Sequence, residues 1–208
     1  MGGYSPEEYL RLERDATERH QYFLGEIFPI HSGPTVTGRS DQHSRVVGNI
    51  VGSLARRQLG SRYAVFDRNL RVSIPSAKSF TNPDVTVVCG PLQFDPLEPR
   101  QEILLNPTLI VEVLSPLTEV YDRVGKFENY RDIESFREYV LVSQDVARVE
   151  TFRHCPDGAW LYTSAARLEA DVRLHSLEIP LPLTEIYAGV PFPPVPSQPV
   201  PEEPGSPT

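Results

Sequence analysis

The sequence predicts a mixed α/β fold in which helices pack on one central sheet. One long segment carries apolar residues at helical spacing, while several short runs are rich in β-branched residues. The predicted order is helix, strand, strand, strand, helix and strand. Such alternation is typical of a mixed sheet with helices on its faces.

The first predicted elements are a short helix and a hairpin. Ser5-Pro6-Glu7-Glu8 is typical of a helix start, because serine can cap, proline suits the first turn and a glutamate stands three residues after the cap. This helix is expected to end near Arg14. Residues 20–31 alternate loosely around Gly25 and predict a strand or hairpin, with Glu26 directly after the glycine.

The longest predicted helix covers residues 41–59, where apolar side chains recur at spacings of three and four. A second helix is predicted over residues 119–131. Strands are predicted at residues 70–74, 84–89, 109–114, 139–142 and 149–153. Residues 174–183 predict an edge piece whose pairing is limited by Pro180 and Pro182.

Length and composition predict one globular domain over residues 1–190. The chain has 208 residues, 39% of them hydrophobic and 23% charged. Residues 191–208 are rich in Pro, Glu and Ser and predict a disordered tail. The N-terminus lacks the pattern of a signal peptide, and no apolar run approaches the roughly 18 residues of a membrane span. We therefore expect a cytoplasmic protein with no membrane partner.

The charge distribution is uneven. The net charge is −8, yet residues 39–78 contain eight basic and two acidic residues. An acidic protein does not coat nucleic acid by bulk electrostatics. The basic stretch could receive a phosphate backbone or form a solvated helix face, and the sequence leaves both interpretations open.

Two acidic residues at predicted strands are the first candidates for chemistry. Glu112 lies inside the apolar run Leu109–Leu114, where an ionised carboxylate needs a counterion or a metal. Asp84 follows Pro83 at the start of the preceding strand, although Asn82-Pro83-Asp84 is also a good turn sequence. Two carboxylates so placed can share Mg²⁺, which prefers oxygen ligands.

Lys126 is the candidate lysine of this site. Asp122, Lys126 and Tyr130 are spaced by four residues and share one face of the predicted helix. A surface ion pair between Asp122 and Lys126 would explain the same spacing. If the stem of Lys126 is exposed, replacing it with alanine is expected to cost little stability.

Several motifs in order resemble the Uma2 family of restriction-endonuclease-like proteins. They are Pro83-Asp84-Val85, the run from Leu109 to Pro116, and Asp122-Arg123 followed by Lys126 and Tyr130. Residues 20–27 are similar to the opening hairpin of that family, and Asp41-Gln42-His43 to the start of its long helix. Residues 138–142 match the strand that follows the site. The resemblance covers residues 5–190.

This resemblance implies a PD-(D/E)xK nuclease fold, a restriction-endonuclease-like mixed central sheet flanked by helices. It implies a Mg²⁺-dependent endonuclease acting on DNA, in which Mn²⁺ can substitute. Asp84 and Glu112 would hold the metal, Glu26 would complete its site and Lys126 would assist hydrolysis. The superfamily pattern puts lysine two residues after the second acid, where this chain has Leu114. In the family the lysine lies on the next helix, which matches Lys126.

Two further positions bear on the site. Gln21 stands where similar sequences usually have glutamate, which would weaken metal binding if that position is a ligand. His43 could contact a phosphate or a metal-bound water, or be a capping or surface histidine. The alternative function is a catalytically weak or inactive nuclease-fold module that binds nucleic acid or a protein partner. Nucleases that cut both strands are often dimers, so a homodimer is also open.

Overall fold

A computed structural model describes residues 3–18, 20–29, 41–58, 62–96, 98, 100–115 and 119–192. Within these ranges the helices are α1 (Pro6–Asp15), α2 (Asp41–Gln58), α3 (Phe127–Tyr130) and α4 (Leu183–Ile186). A π-helical segment, Tyr121–Lys126, runs directly into α3. The predicted disordered tail lies outside the described residues from position 193 onward.

The strands of the described residues form two larger sheets and one two-stranded ribbon. In chain order they are β1 (His20–Phe23), β2 (Glu26–Pro29), β3 (Tyr63–Asp67), β4 (Arg71–Ile74), β5 (Ser79–Thr81), β6 (Val85–Cys89), β7 (Ile103–Leu104), β8 (Leu109–Leu114), β9 (Glu138–Ser143), β10 (Val149–His154), β11 (Trp160–Ala165), β12 (Asp171–Leu174) and β13 (Ile179–Pro182).

The predicted central mixed sheet is confirmed. Six strands follow the order β11-β10-β9-β8-β6-β3, and β8 pairs with β9 in parallel while the other neighbours are antiparallel. A second sheet, β2-β1-β5-β4-β7, was not predicted. Its strands are short, so their stability depends on pairing with one another more than on any local pattern.

Helices cover one face of the six-stranded sheet. The apolar stripe of α2, namely Val46, Ile50 and Leu54, is fully buried against Val85, Val111 and Val140. α4 and the β12–β13 ribbon complete this layer. A partly exposed ion pair between Arg57 on α2 and Glu185 on α4, with atoms 2.7 Å apart, connects the two helices.

The opposite face carries a second apolar cluster and the candidate site. Ile110, Leu114 and Leu141 pack there against Tyr130 on α3 and Val72 on β4. Side chains alternate between the faces of a strand, so Glu112, between Val111 and Val113, lies on this second face with Ile110 and Leu114. Leu114 is buried in this apolar cluster, as expected for a position that the lysine has left.

The N-terminal elements form as predicted. Ser5 caps α1 by accepting from Glu8 N at 3.1 Å, and Glu8 Oε2 accepts from Ser5 N at 2.7 Å. α1 packs against the second sheet through Tyr9, while the Arg71–Glu13 pair adds a buried ionic contact of 2.9 Å. Among the described residues, no helix is long and apolar enough to cross a membrane.

Candidate active site

Asp84 and Glu112 come from neighbouring strands. β6 pairs antiparallel with β8, and Val85 is opposite Val111, so Asp84 and Glu112 are the next residues in line on the two strands. Residues opposite one another in an antiparallel pair point to the same face. Both carboxylates are buried, each with 2% of its residue surface exposed.

Two groups hold Asp84 in place. Asp84 Oδ2 accepts a hydrogen bond from Val113 N at 2.9 Å, which ties it to the strand that carries Glu112. His43 Nε2, from the first turn of α2, lies 3.2 Å from the same oxygen. His43 is itself buried, so the surface interpretation of this histidine is wrong.

Glu112 Oε1 has two partners from the helical region. Lys126 Nζ lies 3.0 Å away, and the Tyr130 hydroxyl donates to the same oxygen at 2.9 Å. The Tyr130 hydroxyl also lies 3.3 Å from Thr81 Oγ1. These contacts explain how a carboxylate can be buried in the middle of an apolar strand, because its charge meets a cation and a hydroxyl.

Lys126 joins Glu112 to a third carboxylate. Its ammonium lies 2.7 Å from Asp122 Oδ1, and both side chains are largely buried, 12% exposed for Lys126 and 2% for Asp122. The i,i+4 pair is therefore present, but as part of an interior group and not on the surface. Tyr139 on β9 donates to the Asp122 carbonyl at 2.9 Å and fixes the backbone of this segment.

Burial and neighbouring charges give the carboxylates different acidities. Burial raises the pKa of Glu112 to about 8, and Asp122 and Asp84 add to the rise while Lys126 opposes it. Burial also acts to raise the pKa of Asp84, but the hydrogen bond and charge of His43, with Lys126, hold that pKa below its ordinary value. Near neutral pH, Asp84 is the permanent anion and Glu112 can keep a proton.

The other two groups keep their ordinary neutral or charged forms. Although burial lowers the pKa of Lys126, the nearby Glu112 and Asp122 carboxylates outweigh it and raise that pKa overall. Burial raises the pKa of Tyr130 well above its ordinary value. Lys126 therefore stays an ammonium and Tyr130 stays a neutral hydrogen-bond donor.

The helix that carries Lys126 is wound differently from the predicted α-helix. Its π-helical turn is an uncommon form that often occurs at functional sites. The half-exposed Tyr121 ring lies over Gly125, where an added Cβ would be only 2.7 Å from the ring. Glycine is needed at that position for the close approach of the ring.

A narrow cleft of about 20 Å³ opens beside the Lys126 side chain. Tyr121, Asn129 and Thr81 line it, together with Gln21 from β1. The opening hairpin thus reaches the site through Gln21. Sequence reasoning connected Gln21 with the site only through the resemblance, and it missed Thr81, whose short polar strand gave no signal.

The structure does not bring Glu26 to the other candidate ligands. Glu26 is exposed on β2, opposite Phe23, and its side chain makes no hydrogen bond or ion pair with any part of the chain that the structure describes. In the same ranges, no group of three or more His, Cys, Asp or Glu side chains is arranged to hold a metal ion. A three-carboxylate set with Glu26 is therefore not assembled.

The remaining pair fits a magnesium ion by its donor chemistry. Asp84 and Glu112 supply hard carboxylate oxygens from adjacent strands, and magnesium is commonly held by one or two carboxylates with waters in the other positions. A divalent cation would also stabilise the ionised form of Glu112, whose pKa burial raises to about 8. Asp84 and Glu112 would hold the ion.

Three arginines of the basic stretch of residues 39–78 form ion pairs with carboxylates of this chain. Arg56 and Arg57 contact Glu185, and Arg71 is buried against Glu13 and Glu102. These arginines connect elements of the fold. Arg39 lies outside the described residues.

Comparison with known proteins shows a family for the chain and a solved structure of similar fold. A family model for Uma2, described as "Putative restriction endonuclease", matches residues 6–184. Two uncharacterised proteins of Synechocystis are 32% and 34% identical over 191 and 173 residues, covering 90% and 83% of this chain and 93% of each relative. A crystal structure from Anabaena variabilis, of "a putative nuclease belonging to DUF820", has a TM-score of 0.63 at 19% identity. It covers 87% of this chain and 96% of that one.

Proposed function

Because the chain belongs to the Uma2 family, we propose that it is a metal-dependent endonuclease that hydrolyses phosphodiester bonds of DNA. The observation that carries the proposal is the placement of Asp84, Glu112 and Lys126. The two buried carboxylates are opposite one another on adjacent strands, Lys126 Nζ lies 3.0 Å from Glu112, and the charge of Lys126 also lowers the pKa of Asp84. This is the set of charges that hydrolysis of a phosphodiester requires.

Asp84 and Glu112 would hold a magnesium ion, with manganese able to replace it. A bound ion of this kind supplies an activated water and neutralises charge on the phosphate. Asp84 is suited to this role because His43 and the Val113 amide fix its orientation. Glu112 is oriented by the Tyr130 hydroxyl in the same way.

Lys126 is the group that would meet the phosphate. Hydrolysis joins a water oxygen to phosphorus and breaks one phosphorus–oxygen ester bond, and negative charge grows on the phosphoryl oxygens and the leaving oxygen. An ammonium that already stands beside the carboxylates stabilises this charge without reorganising. Asp122 holds the ammonium at 2.7 Å and is a positioning residue.

The contacts favour cleavage over binding alone. A module that only binds nucleic acid has no need to bury two carboxylates and a lysine, since uncompensated buried charge is costly. The net charge of −8 also gives a surface poorly suited to sequence-independent binding. Binding without cleavage is the outcome that the following experiment would detect.

The test is cleavage of supercoiled plasmid DNA and of labelled oligonucleotides in Mg²⁺, in Mn²⁺ and in chelator. We expect nicking or linearisation with either metal and none in chelator. Asp84→Asn, Glu112→Gln and Lys126→Ala should each lower the rate by roughly 100-fold or more.

Matched controls remove the same charges outside the site. Asp145→Asn, Glu128→Gln and Arg131→Ala change exposed residues that have no contact with the group. These variants should cleave like the parent protein. Metal-dependent cleavage that survives Asp84→Asn and Glu112→Gln, or binding of DNA with no cleavage in either metal, would overturn the proposal.

A further inference from the structure

A second charged cleft lies away from the proposed active site. It is open, has a volume of about 760 Å³, and is lined by Arg137, Arg153, Arg173, His154, His175 and Glu178. We call it the arginine cleft. Its residues come from the start of β9, the end of β10, and the β12–β13 ribbon. No short sequence motif joins them, so it could not be predicted from the sequence.

The arginine cleft and the active site are on different parts of the six-stranded sheet. In the parallel β8–β9 pair, Glu138 is opposite Leu109, while Glu112 is opposite Leu141, three residues or about 10 Å further along. Glu138 is two residues before Val140 and therefore lies on the face covered by α2, and Arg153 is paired with Glu138 on that same face. Glu112 lies on the opposite face.

The arginines of the cleft, Arg137, Arg153 and Arg173, form no ion pairs among the described residues. Arg137 Nη1 donates to the carbonyl of Phe136 at 2.9 Å. The nearby buried carboxylate of Glu138 is directed elsewhere. It accepts from His175 N at 3.0 Å and from Ser176 N at 2.8 Å.

Arg153 supplies an independent observation, a buried donor that no acceptor of the described residues meets. Its Nε is buried and has no hydrogen-bond partner in the part of the chain that the structure describes. A buried guanidinium nitrogen without an acceptor is unfavourable, so such groups normally meet a carboxylate, a carbonyl or a bound anion. Most other side chains at the cleft can also donate hydrogen bonds, the exceptions being Pro156 and Glu178.

We propose that the arginine cleft binds a phosphate group. A guanidinium presents a planar set of donors that matches the oxygens of phosphate, and it is the side chain best suited to this recognition. Three arginines against one glutamate give the cleft a formal charge of +2 with neutral histidines. The imidazoles of His154 and His175 can add further N–H donors.

The phosphate can come from two sources, a nucleic-acid backbone or a small free phosphate compound. The proposal does not depend on the nuclease function, because the cleft shares no residue with Asp84, Glu112 or Lys126. It does give the protein a place to hold a phosphate remote from the proposed point of cleavage.

The test uses the full chain in chelator, so that no cleavage occurs. Inorganic phosphate is titrated by calorimetry, and a fluorescently labelled duplex is titrated by anisotropy in low and moderate salt. Arg153→Ala with Arg173→Ala should weaken phosphate binding at least tenfold. The matched control, Arg11→Ala with Arg131→Ala, removes two exposed arginines elsewhere and should leave binding unchanged.

Arg153 is partly buried, so its replacement could disturb folding, and a second variant separates that effect from the loss of binding. Arg173→Glu changes one exposed side chain and should weaken phosphate binding while the thermal unfolding midpoint stays that of the parent. If the variants weaken duplex binding in parallel with phosphate binding, and phosphate competes with the duplex, the source is a nucleic-acid backbone. If the variants weaken phosphate binding alone, the source is a small compound. Both results support the site. Absence of phosphate and duplex binding by the parent, or equal binding by all variants, would overturn it.

Discussion

Lys126 Nζ lies 3.0 Å from Glu112 Oε1, so a residue of the π-helical segment neutralises a carboxylate in the middle of β8. The superfamily pattern would place the lysine on the strand itself, at position 114. Here position 114 is a buried leucine, and the ammonium comes from Lys126 on the following helix. The Lys126 side chain therefore contacts the strand carboxylate from a neighbouring helix and not from the strand itself.

Lys126→Ala should abolish cleavage and also lower stability. The expectation from the sequence that this change would cost little stability assumed an exposed stem, whereas the side chain is only 12% exposed and contacts Glu112 and Asp122. We expect a loss of about 2 kcal/mol, less than for a fully buried pair because Glu112 can take up a proton.

Urea unfolding measures this loss, with Arg131→Ala as the exposed control on the same helical region. Adding Glu112→Gln to Lys126→Ala should recover part of the stability, since the carboxylate that lost its cation is then removed. An unchanged unfolding free energy for Lys126→Ala would show that the three charges are not coupled as the contacts indicate.

The opening hairpin provides a test of which of its residues meets the metal. Gln21 lines the cleft beside Lys126, whereas Glu26 is exposed and has no contact with the site. Gln21→Glu should therefore strengthen Mn²⁺ binding several-fold, by adding a carboxylate at the cleft. Glu26→Gln should leave it unchanged.

Calorimetric titration of Mn²⁺ into both variants separates the two positions. Both substitutions are isosteric, so each is a volume-matched control for the other. Weaker binding in Glu26→Gln, with no gain in Gln21→Glu, would return Glu26 to the set of metal ligands.

Glu185 should make stability depend on pH in the acid range. Hydrogen bonds from Arg57 and Ser53 lower the pKa of Glu185 to about 2, from an ordinary value of 4.5. A folded-state pKa below the unfolded value gives stability that is fully present above about pH 4.5 and is lost as pH falls towards about 2.

The unfolding free energy of Glu185→Gln, compared with that of the parent across this range, isolates the contribution. The pair is partly open to solvent, so the difference at pH 7 should be about 1 kcal/mol or less. That difference should shrink as the pH falls. A constant difference between pH 6 and pH 2.5 would mean that the ion pair between α2 and α4 is not what stabilises this junction.

The sequence predicted those parts of the site that produce a recognisable pattern within a short segment. Glu112 is a carboxylate in an apolar run, and Asp122, Lys126 and Tyr130 share a spacing of four. The contact of His43 with Asp84 has no such local pattern, because it depends on how the first turn of α2 packs against the start of β6. Side chains far apart in sequence come together only when the helix is packed.

The π-helical segment and the arginine cleft could not be predicted from local sequence patterns either. Apolar periodicity predicts a helix around Lys126 but cannot distinguish a π-helical turn from an α-helix, since one turn differs by a single residue. The arginine cleft draws on residues from 137 to 178, in strands and turns that come together only when the chain is folded. Of the second sheet, β5 and β7 have only three and two residues, too few for alternation to be visible.

The central claim is that Asp84 and Glu112 together hold a divalent cation, and thermal unfolding with and without Mn²⁺ tests it most directly. The parent protein should gain roughly 1–3 kcal/mol at free metal concentrations of about 10–100 times Kd. Asp84→Asn combined with Glu112→Gln should abolish the gain, while the exposed control pair Asp145→Asn with Glu128→Gln should keep it. An equal metal response in the parent and the Asp84→Asn, Glu112→Gln variant would show that the cation binds elsewhere and would contradict the account.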